Sequence, residues 1–111
     1  MEIMKSFVFA AAHKLGENGP CSHVHGHTYK AAVWIDGEVG EDGMVMDFHR
    51  LADILEPIRT KLDHSYLNDV IDNPTTERLV IMIRDECEAF GLYPLSVEVY
   101  ESDSTGARWR R

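Results

Sequence analysis

The sequence predicts an α+β fold, in which an antiparallel four-stranded sheet carries two helices on one face in the order β-β-β-α-α-β. Alternating apolar residues mark strands towards both ends of the chain, and two stretches of helical periodicity lie between them. The length of 111 residues suits one hydrophobic core. We therefore expect a single domain over residues 1–111, small enough to gain stability from oligomerisation.

The first two strands are predicted on either side of a loop. Residues 2–12 place apolar side chains on both faces, and a strand of this kind is usually covered on both. Gly16, Gly19 and Pro20 mark a loop over residues 14–22. Residues 29–35 then form the second strand, and the segment from His25 leads into it.

A short third strand and the first helix follow an acidic turn. Residues 43–48 are predicted to be extended, and the helix comes directly after them. Pro57 is expected to kink this helix or to leave one hydrogen bond unmade. Its apolar stripe is core and comprises Leu51, Ile54, Leu55, Ile58 and Leu62.

The second helix and the last strand complete the fold. Asn73 or Thr75 can cap the helix, and Pro74 suits its first turn. Residues 95–101 alternate strictly and form the final strand, after which a basic tail over 108–111 is a solvated end, a subunit contact or a polyanion-steering segment. The predicted apolar face of the helix comprises Leu79, Met82, Ile83, Cys87 and Phe90.

Composition narrows the class of function. A formal net charge of −8 argues against a general nucleic-acid or anionic-membrane surface. No apolar run approaches the length of a membrane span, and the N-terminus lacks a signal-peptide pattern. Two cysteines do not indicate a disulfide framework, so we expect a reducing cytoplasm.

The stretch from Cys21 to Tyr29 concentrates metal-binding side chains. His25 and His27 are two residues apart, so on a strand they share a face and form half of a tetrahedral zinc site. We expect a third histidine from elsewhere and an open position for substrate. His13 ends the first strand and hairpin pairing could bring it close, whereas His23 competes as a ligand but ranks lower.

Other polar residues each have two interpretations. Cys21 is either a fourth, structural zinc ligand or a thiolate that acts as base or nucleophile. Asp63 can orient His64 for proton transfer, although both also suit a surface or capping role. Glu77 lies near the positive end of a helix dipole, and Glu101 sits on the apolar side of the last strand, where a carboxylate needs a partner.

Six segments together resemble the 6-pyruvoyltetrahydropterin synthase / 6-carboxytetrahydropterin synthase family almost from end to end. The spacing between Cys21 and His25 is similar to that of the 6-carboxytetrahydropterin synthases of the queuosine pathway. The matching segments are residues 9–15, Cys21-x-x-x-His25-Gly26-His27-x-Tyr29, 43–48, Leu62-Asp63-His64-x-x-Leu67-Asn68, 73–77 and Glu101.

The resemblance implies the tunnelling fold, assembled as a homohexamer of two trimers with active sites between subunits. It implies a zinc ion on His13, His25 and His27, which makes His23 a bystander. Cys21 matches the catalytic thiol, with Asp63 and His64 as its dyad from a neighbouring subunit. The residues expected to bind substrate are Glu101, which grips the pterin ring, and the helix-start residues Thr76 and Glu77.

The resemblance also implies a reaction. The expected activity converts 7,8-dihydroneopterin triphosphate to 6-carboxytetrahydropterin, acetaldehyde and triphosphate, in queuosine (7-deazaguanine) biosynthesis. One alternative stops at 6-pyruvoyltetrahydropterin after loss of triphosphate. The non-enzymatic alternative is a zinc-stabilised pterin-binding module in which Cys21 closes the metal shell.

Overall fold

The computed structural model describes all 111 residues and has a five-stranded sheet with two helices. The strands lie in the order β3-β1-β2-β4-β5, and every neighbouring pair is antiparallel except β3 with β1. The α+β class is therefore confirmed. The elements are β1 (Glu2–His13), β2 (His25–Asp36), α1 (Phe48–Leu62), β3 (Ser65–Tyr66), α2 (Thr76–Ala89), β4 (Ser96–Tyr100) and β5 (Gly106–Arg110).

A long hairpin of β1 and β2 forms the centre of the sheet. Its pairing runs without a break from Glu2 opposite Asp36 to His13 opposite His25. Odd-numbered residues of both strands point to the same face, because directly paired residues lie on one side of a pleated sheet. That face is the buried one, and its buried apolar residues are Phe9, Ala11, Tyr29, Ala31, Val33 and Ile35, joined by Val97 and Val99 of β4.

Both helices cover this face, as predicted. Asp47 caps α1 by accepting from the His49 N–H, and Thr75 caps α2 by accepting from the Arg78 N–H. Pro57 lies inside α1. Neither helix is long and apolar enough to cross a membrane. The side chains that enter the core are Leu51, Leu55, Ile58 and Leu62 from α1 and Leu79, Val80, Ile83 and Cys87 from α2.

One helix-face prediction needs correction. Phe90 was expected in the core, but it is the C-terminal cap of α2 and is 53% exposed. Val80 is buried in its place. The helix ends before Phe90, so this ring no longer follows the helical spacing that set the prediction.

The predicted third strand over residues 43–48 is wrong. The segment is a turn followed by the start of α1, with the Gly40 N–H donating to the Met44 carbonyl and Asp47 capping the helix. It cannot join the centre of the sheet, because β1 and β4 already occupy both edges of β2. The short third strand is β3 instead, which runs parallel to β1.

The sheet has five strands and not the four that were predicted, because most of the basic tail belongs to a further strand. This strand is β5, which pairs with β4 along its whole length, and Trp109 packs against the core. The strand can approach closely because residue 106 is glycine. A Cβ at Gly106 would lie 2.3 Å from the Tyr100 ring and 2.9 Å from the Val99 carbonyl oxygen.

The second face of β1 is uncovered within this chain. Val8 is 52% exposed and Met4 is 37% exposed, and Ala10 is exposed as well. The expectation that β1 is covered on both sides is therefore not met by the chain itself. β3 pairs only with Ala11 and Ala12, so the preceding residues of β1 also form an open sheet edge.

Candidate metal centre and active site

Three histidines converge at the open end of the β1–β2 hairpin. His13 lies directly opposite His25, and His27 follows two residues along β2 on the same face. One ligand atom from each lies within 4.8 Å of the other two. His13 is fully buried, whereas His25 and His27 are partly exposed. The cluster therefore has a closed inner side and an accessible outer side.

Carbonyl oxygens hold two of the imidazoles in orientation. His13 Nδ1 lies 2.9 Å from the Pro74 carbonyl, and His25 Nδ1 lies 2.7 Å from the His23 carbonyl. Because a carbonyl only accepts, each Nδ1 is the protonated donor and each Nε2 keeps its lone pair. Metal-bound histidines are commonly oriented in this way. Catalytic zinc sites commonly have three protein ligands and a fourth position open to water or substrate, and three histidines fit this pattern.

His27 is held in its neutral form by its surroundings. Burial lowers the pKa of His27; the charge of Glu101 acts in the opposite direction, and His13 and His25 lower the pKa further. A neutral imidazole is the form that binds metal ions. The environment of His27 thus favours the ligand form near neutral pH.

His23 is excluded from the cluster by its position. It lies before the first residue of β2 and is exposed. Only its main-chain carbonyl contributes, through the hydrogen bond to His25. Alternation along a strand had made its side chain a candidate, but the strand begins too late for that alternation to apply.

A carboxylate lies beside the three histidines. Glu101 Oε2 is 3.8 Å from His27 Nε2, and Thr76 Oγ1 donates to the same oxygen over 3.2 Å. Glu101 follows the last residue of β4, whereas Thr76 is the first residue of α2. The chain thus brings Glu101 and Thr76 together, and the partner expected for a carboxylate on the apolar side of a strand is present.

Glu77 is not tied to this group. Its side chain is exposed in the first turn of α2 and forms no hydrogen bond or ion pair within the chain. The structure therefore leaves both interpretations of Glu77 open, the dipole contact and the substrate contact.

Cys21 is exposed and lies outside the cluster of three histidines. It lies in a single 3-10 turn, Pro20–Ser22, that precedes β2. The metal-binding group contains only the three histidines, and Cys21 is not part of it. This arrangement favours the interpretation of Cys21 as a reactive thiol over that of a fourth zinc ligand.

Asp63 and His64 lie within hydrogen-bond distance of each other at the edge of β1. His64 Nδ1 lies 2.9 Å from Asp63 Oδ2, and Asp63 Oδ1 accepts from the Ala10 N–H over 2.9 Å. The Ala10 hydrogen bond is the largest influence that lowers the pKa of Asp63, followed by the bond from His64. Asp63 is thus kept ionised, while the His64 ring is 83% exposed and open to a partner.

The family assignment rests on the whole chain. The sequence profile of the family described as 6-pyruvoyl tetrahydropterin synthase matches residues 2–111. The chain belongs to this family. Among its relatives, a 6-carboxy-5,6,7,8-tetrahydropterin synthase of Synechocystis sp. is 38% identical, covering 96% of this chain and 91% of that protein. Their similarity extends well beyond the histidine segment.

One further relative and one solved structure add to this comparison. A dihydroneopterin monophosphate aldolase of Pyrococcus furiosus is 39% identical over 72% of this chain and 67% of that protein. The 6-pyruvoyl tetrahydropterin synthase structure of Caenorhabditis elegans superimposes with a TM-score of 0.90 at 21% identity, covering 100% and 95% of the two chains. This structural match confirms the tunnelling fold.

Sequence reasoning missed two contacts of the histidine cluster. The Pro74 carbonyl that orients His13 is 61 residues away along the chain, and no local pattern marks a carbonyl as a partner. Tyr29 is fully buried, and its hydroxyl lies 3.3 Å from His13 Nδ1. Burial raises the pKa of Tyr29, so its hydroxyl stays protonated. Its place on the odd-numbered face of the second strand was the available signal.

The two thiols of this protein are expected to differ sharply in reactivity. Burial raises the pKa of Cys87 to about 12, with Glu86 and Glu88 adding to the effect. At pH 8 only about one Cys87 in ten thousand would be a thiolate, which is the reacting form. Titration of the native protein with a thiol reagent should therefore show one fast group, Cys21, and a second only after denaturation.

Cys21→Ser is the control for this titration, because it should remove the fast group and leave the slow one. Two fast groups in the native wild-type protein would contradict the burial of Cys87.

Proposed function

We propose that this protein is a zinc-dependent 6-carboxy-5,6,7,8-tetrahydropterin synthase that acts on 7,8-dihydroneopterin triphosphate. The products would be 6-carboxytetrahydropterin, acetaldehyde and triphosphate, in queuosine biosynthesis. The carrying observation is the convergence of three imidazole ligands beside the carboxylate of Glu101. A metal-binding group next to a single ring-binding carboxylate suits a substrate with a polar ring and an oxygenated side chain.

The residues proposed to hold the zinc ion are His13, His25 and His27. Their donor set fits zinc, because two of the three rings have Nδ1 fixed on a carbonyl and Nε2 free. When bound there, zinc supplies Lewis-acid stabilisation of charge on the side-chain oxygens of the substrate. The chain itself contributes the orientation of the rings and the burial of His13.

Proton transfer is assigned to Cys21, Asp63 and His64. Cys21 is exposed and lies outside the histidine cluster, so as a thiolate it can take a proton from a carbon next to the substrate's side-chain oxygens. Asp63 fixes His64 through Nδ1 and leaves Nε2 to exchange a proton. The relay is proposed to operate between subunits, with His64 contributed by a neighbouring chain.

The pterin ring is proposed to bind at Glu101. The ring offers adjacent N–H donors, and a carboxylate can accept two of them side by side. Thr76 donates to Oε2 and so fixes the plane of that carboxylate. Glu77 is proposed as a second contact at the start of α2, where its side chain is free to meet a substrate.

Assembly into a homo-oligomer, of trimer or hexamer order, is part of the proposal. It is supported by the open edge of β1 and by the exposure of Met4 and Val8 on the face opposite the helices. Uncovered apolar strands with unpaired edges are surfaces that another chain can pair with.

A second candidate is the activity by which the Pyrococcus furiosus relative is named, dihydroneopterin monophosphate aldolase. The specific observation in its favour is an identity as high as that of the Synechocystis enzyme, although over less of the chain. The two candidates differ in the number of phosphates on the substrate, so a direct comparison of substrates separates them.

The test is to incubate the zinc-loaded protein with dihydroneopterin triphosphate or monophosphate and to identify the products by mass spectrometry. We expect 6-carboxytetrahydropterin and equimolar acetaldehyde from the triphosphate. Accumulation of 6-pyruvoyltetrahydropterin would support the shorter reaction, and turnover of only the monophosphate would support the aldolase. If both substrates remain unchanged, the proposal is wrong and a pterin-binding module becomes the better explanation.

A further inference from the structure

The side chain of Asn68 forms two hydrogen bonds with the main chain of Lys14, the residue that follows β1. Its side-chain Oδ1 accepts from the Lys14 N–H over 2.9 Å, and its Nδ2 donates to the Lys14 carbonyl over 2.9 Å. A primary amide can satisfy both groups of one residue in this way, as a neighbouring strand does. Both contacts are partly buried and join residues 54 positions apart.

These two hydrogen bonds continue the series of main-chain contacts along the edge of β1. The His64 N–H donates to the Ala10 carbonyl over 2.6 Å, and β3 then pairs with Ala11 and Ala12. Asn68 extends the contact past His13, the last residue of the strand. Leu67, the residue before Asn68, is fully buried in the core and therefore holds the main chain of Asn68 in place.

The next main-chain bond fixes the turn that carries Cys21. The Leu15 N–H donates to the Cys21 carbonyl over 2.7 Å and thereby closes the loop between β1 and β2. Within that loop Gly16 and Gly19 have positive φ values and most side chains are exposed, so the core does little to hold it. The position of the Cys21 turn thus depends on where Lys14 and Leu15 are held.

We propose that Asn68 is a positioning residue for Cys21. Acting through Lys14 and the Leu15–Cys21 hydrogen bond, it sets the position of the thiol relative to the histidines of the hairpin. This inference rests on the proposed function in that Cys21 is taken as the proton-transferring group. It adds a residue that touches neither metal nor substrate and yet controls the chemical step.

The test compares Asn68→Ala, which loses both hydrogen bonds, with Asn68→Asp, which keeps the acceptor and loses the donor. Asn18→Ala in the exposed loop is the matched control, because Asn18 forms no side-chain hydrogen bond. We expect kcat to fall about 10- to 100-fold in Asn68→Ala, since small misplacements of a reacting group have effects of this size, and at least as far in Asn68→Asp, because a carboxylate oxygen would then face the Lys14 carbonyl. KM should change less than about twofold and zinc content should not change, because the ligands and Glu101 are untouched.

Hydrogen exchange of the Leu15 amide provides a readout independent of catalysis. We expect it to exchange at least about tenfold faster in Asn68→Ala, while the paired amides in the middle of β2 stay protected. An unchanged kcat, or a raised KM with unchanged kcat, would overturn the inference if the wild-type enzyme is active. If the wild-type protein is inactive, the proposed function fails, and unchanged Leu15 exchange in both Asn68 variants would then overturn the positioning role separately.

Discussion

Zinc binding should be lost when any one of His13, His25 and His27 is replaced by alanine. Each supplies one of only three imidazoles within 4.8 Å of one another, and no fourth His, Cys, Asp or Glu joins the group. Replacing a residue that merely orients a ligand typically weakens binding about 10- to 100-fold, so loss of a ligand itself should exceed about 100-fold. Metal analysis of dialysed protein and competition with a chelator measure this effect.

His23→Ala is the matched control for these variants. It removes an imidazole from the same segment, but His23 contributes only its main-chain carbonyl to the site, and the variant retains that carbonyl. Zinc content should therefore stay at the wild-type value. Retention of stoichiometric zinc by His13→Ala, or its loss from His23→Ala, would show that the ligand set is assigned wrongly.

Cys21→Ala should abolish most turnover of dihydroneopterin triphosphate and leave zinc in place. The thiol is exposed and outside the metal-binding group, so its removal takes away a proton acceptor without opening the metal shell. General acid–base groups typically contribute about 10²- to 10⁴-fold to a rate, and we expect a loss of kcat in that range. Steady-state kinetics and metal analysis of the same preparation measure both properties.

Cys87→Ala is the control that removes the other thiol. Cys87 lies on α2 and is buried in the hydrophobic core, so this variant should lose some stability and keep its activity. A Cys21→Ala protein that loses zinc in parallel with activity would instead favour the structural interpretation, in which the thiolate closes the metal shell.

Local periodicity was enough to predict the central hairpin and both helices. The helical stripe from Leu51 to Leu62 predicted α1, whereas both faces of β1 were expected to be covered and only its odd-numbered face is buried. Local periodicity did not predict β3 and β5, because these two short strands at the ends of the sheet depend on the strand edge that accepts them. Residues 43–48 had the pattern of a strand but form a turn and the start of α1.

The candidate site was likewise predicted in part from the sequence and completed only by the structure. Alternation placed His25 and His27 on one side, and the end of β1 made His13 a candidate. The structure adds the exact pairing of His13 with His25 and the carboxylate of Glu101 beside His27. Roles for Cys21, the Asp63–His64 pair and Glu77 stay predictions, since they depend on substrate and on neighbouring subunits.

The sequence by itself determined the α+β class, the hairpin and the chemical identity of the ligands, because these follow from side-chain periodicity and residue type within short windows. Only the tertiary structure decided which main-chain groups orient those ligands. The carbonyl of Pro74 that binds His13 lies 61 residues away along the chain. Such contacts carry no local signature, because every residue has a carbonyl and it is the packing of the helices on the sheet that selects one.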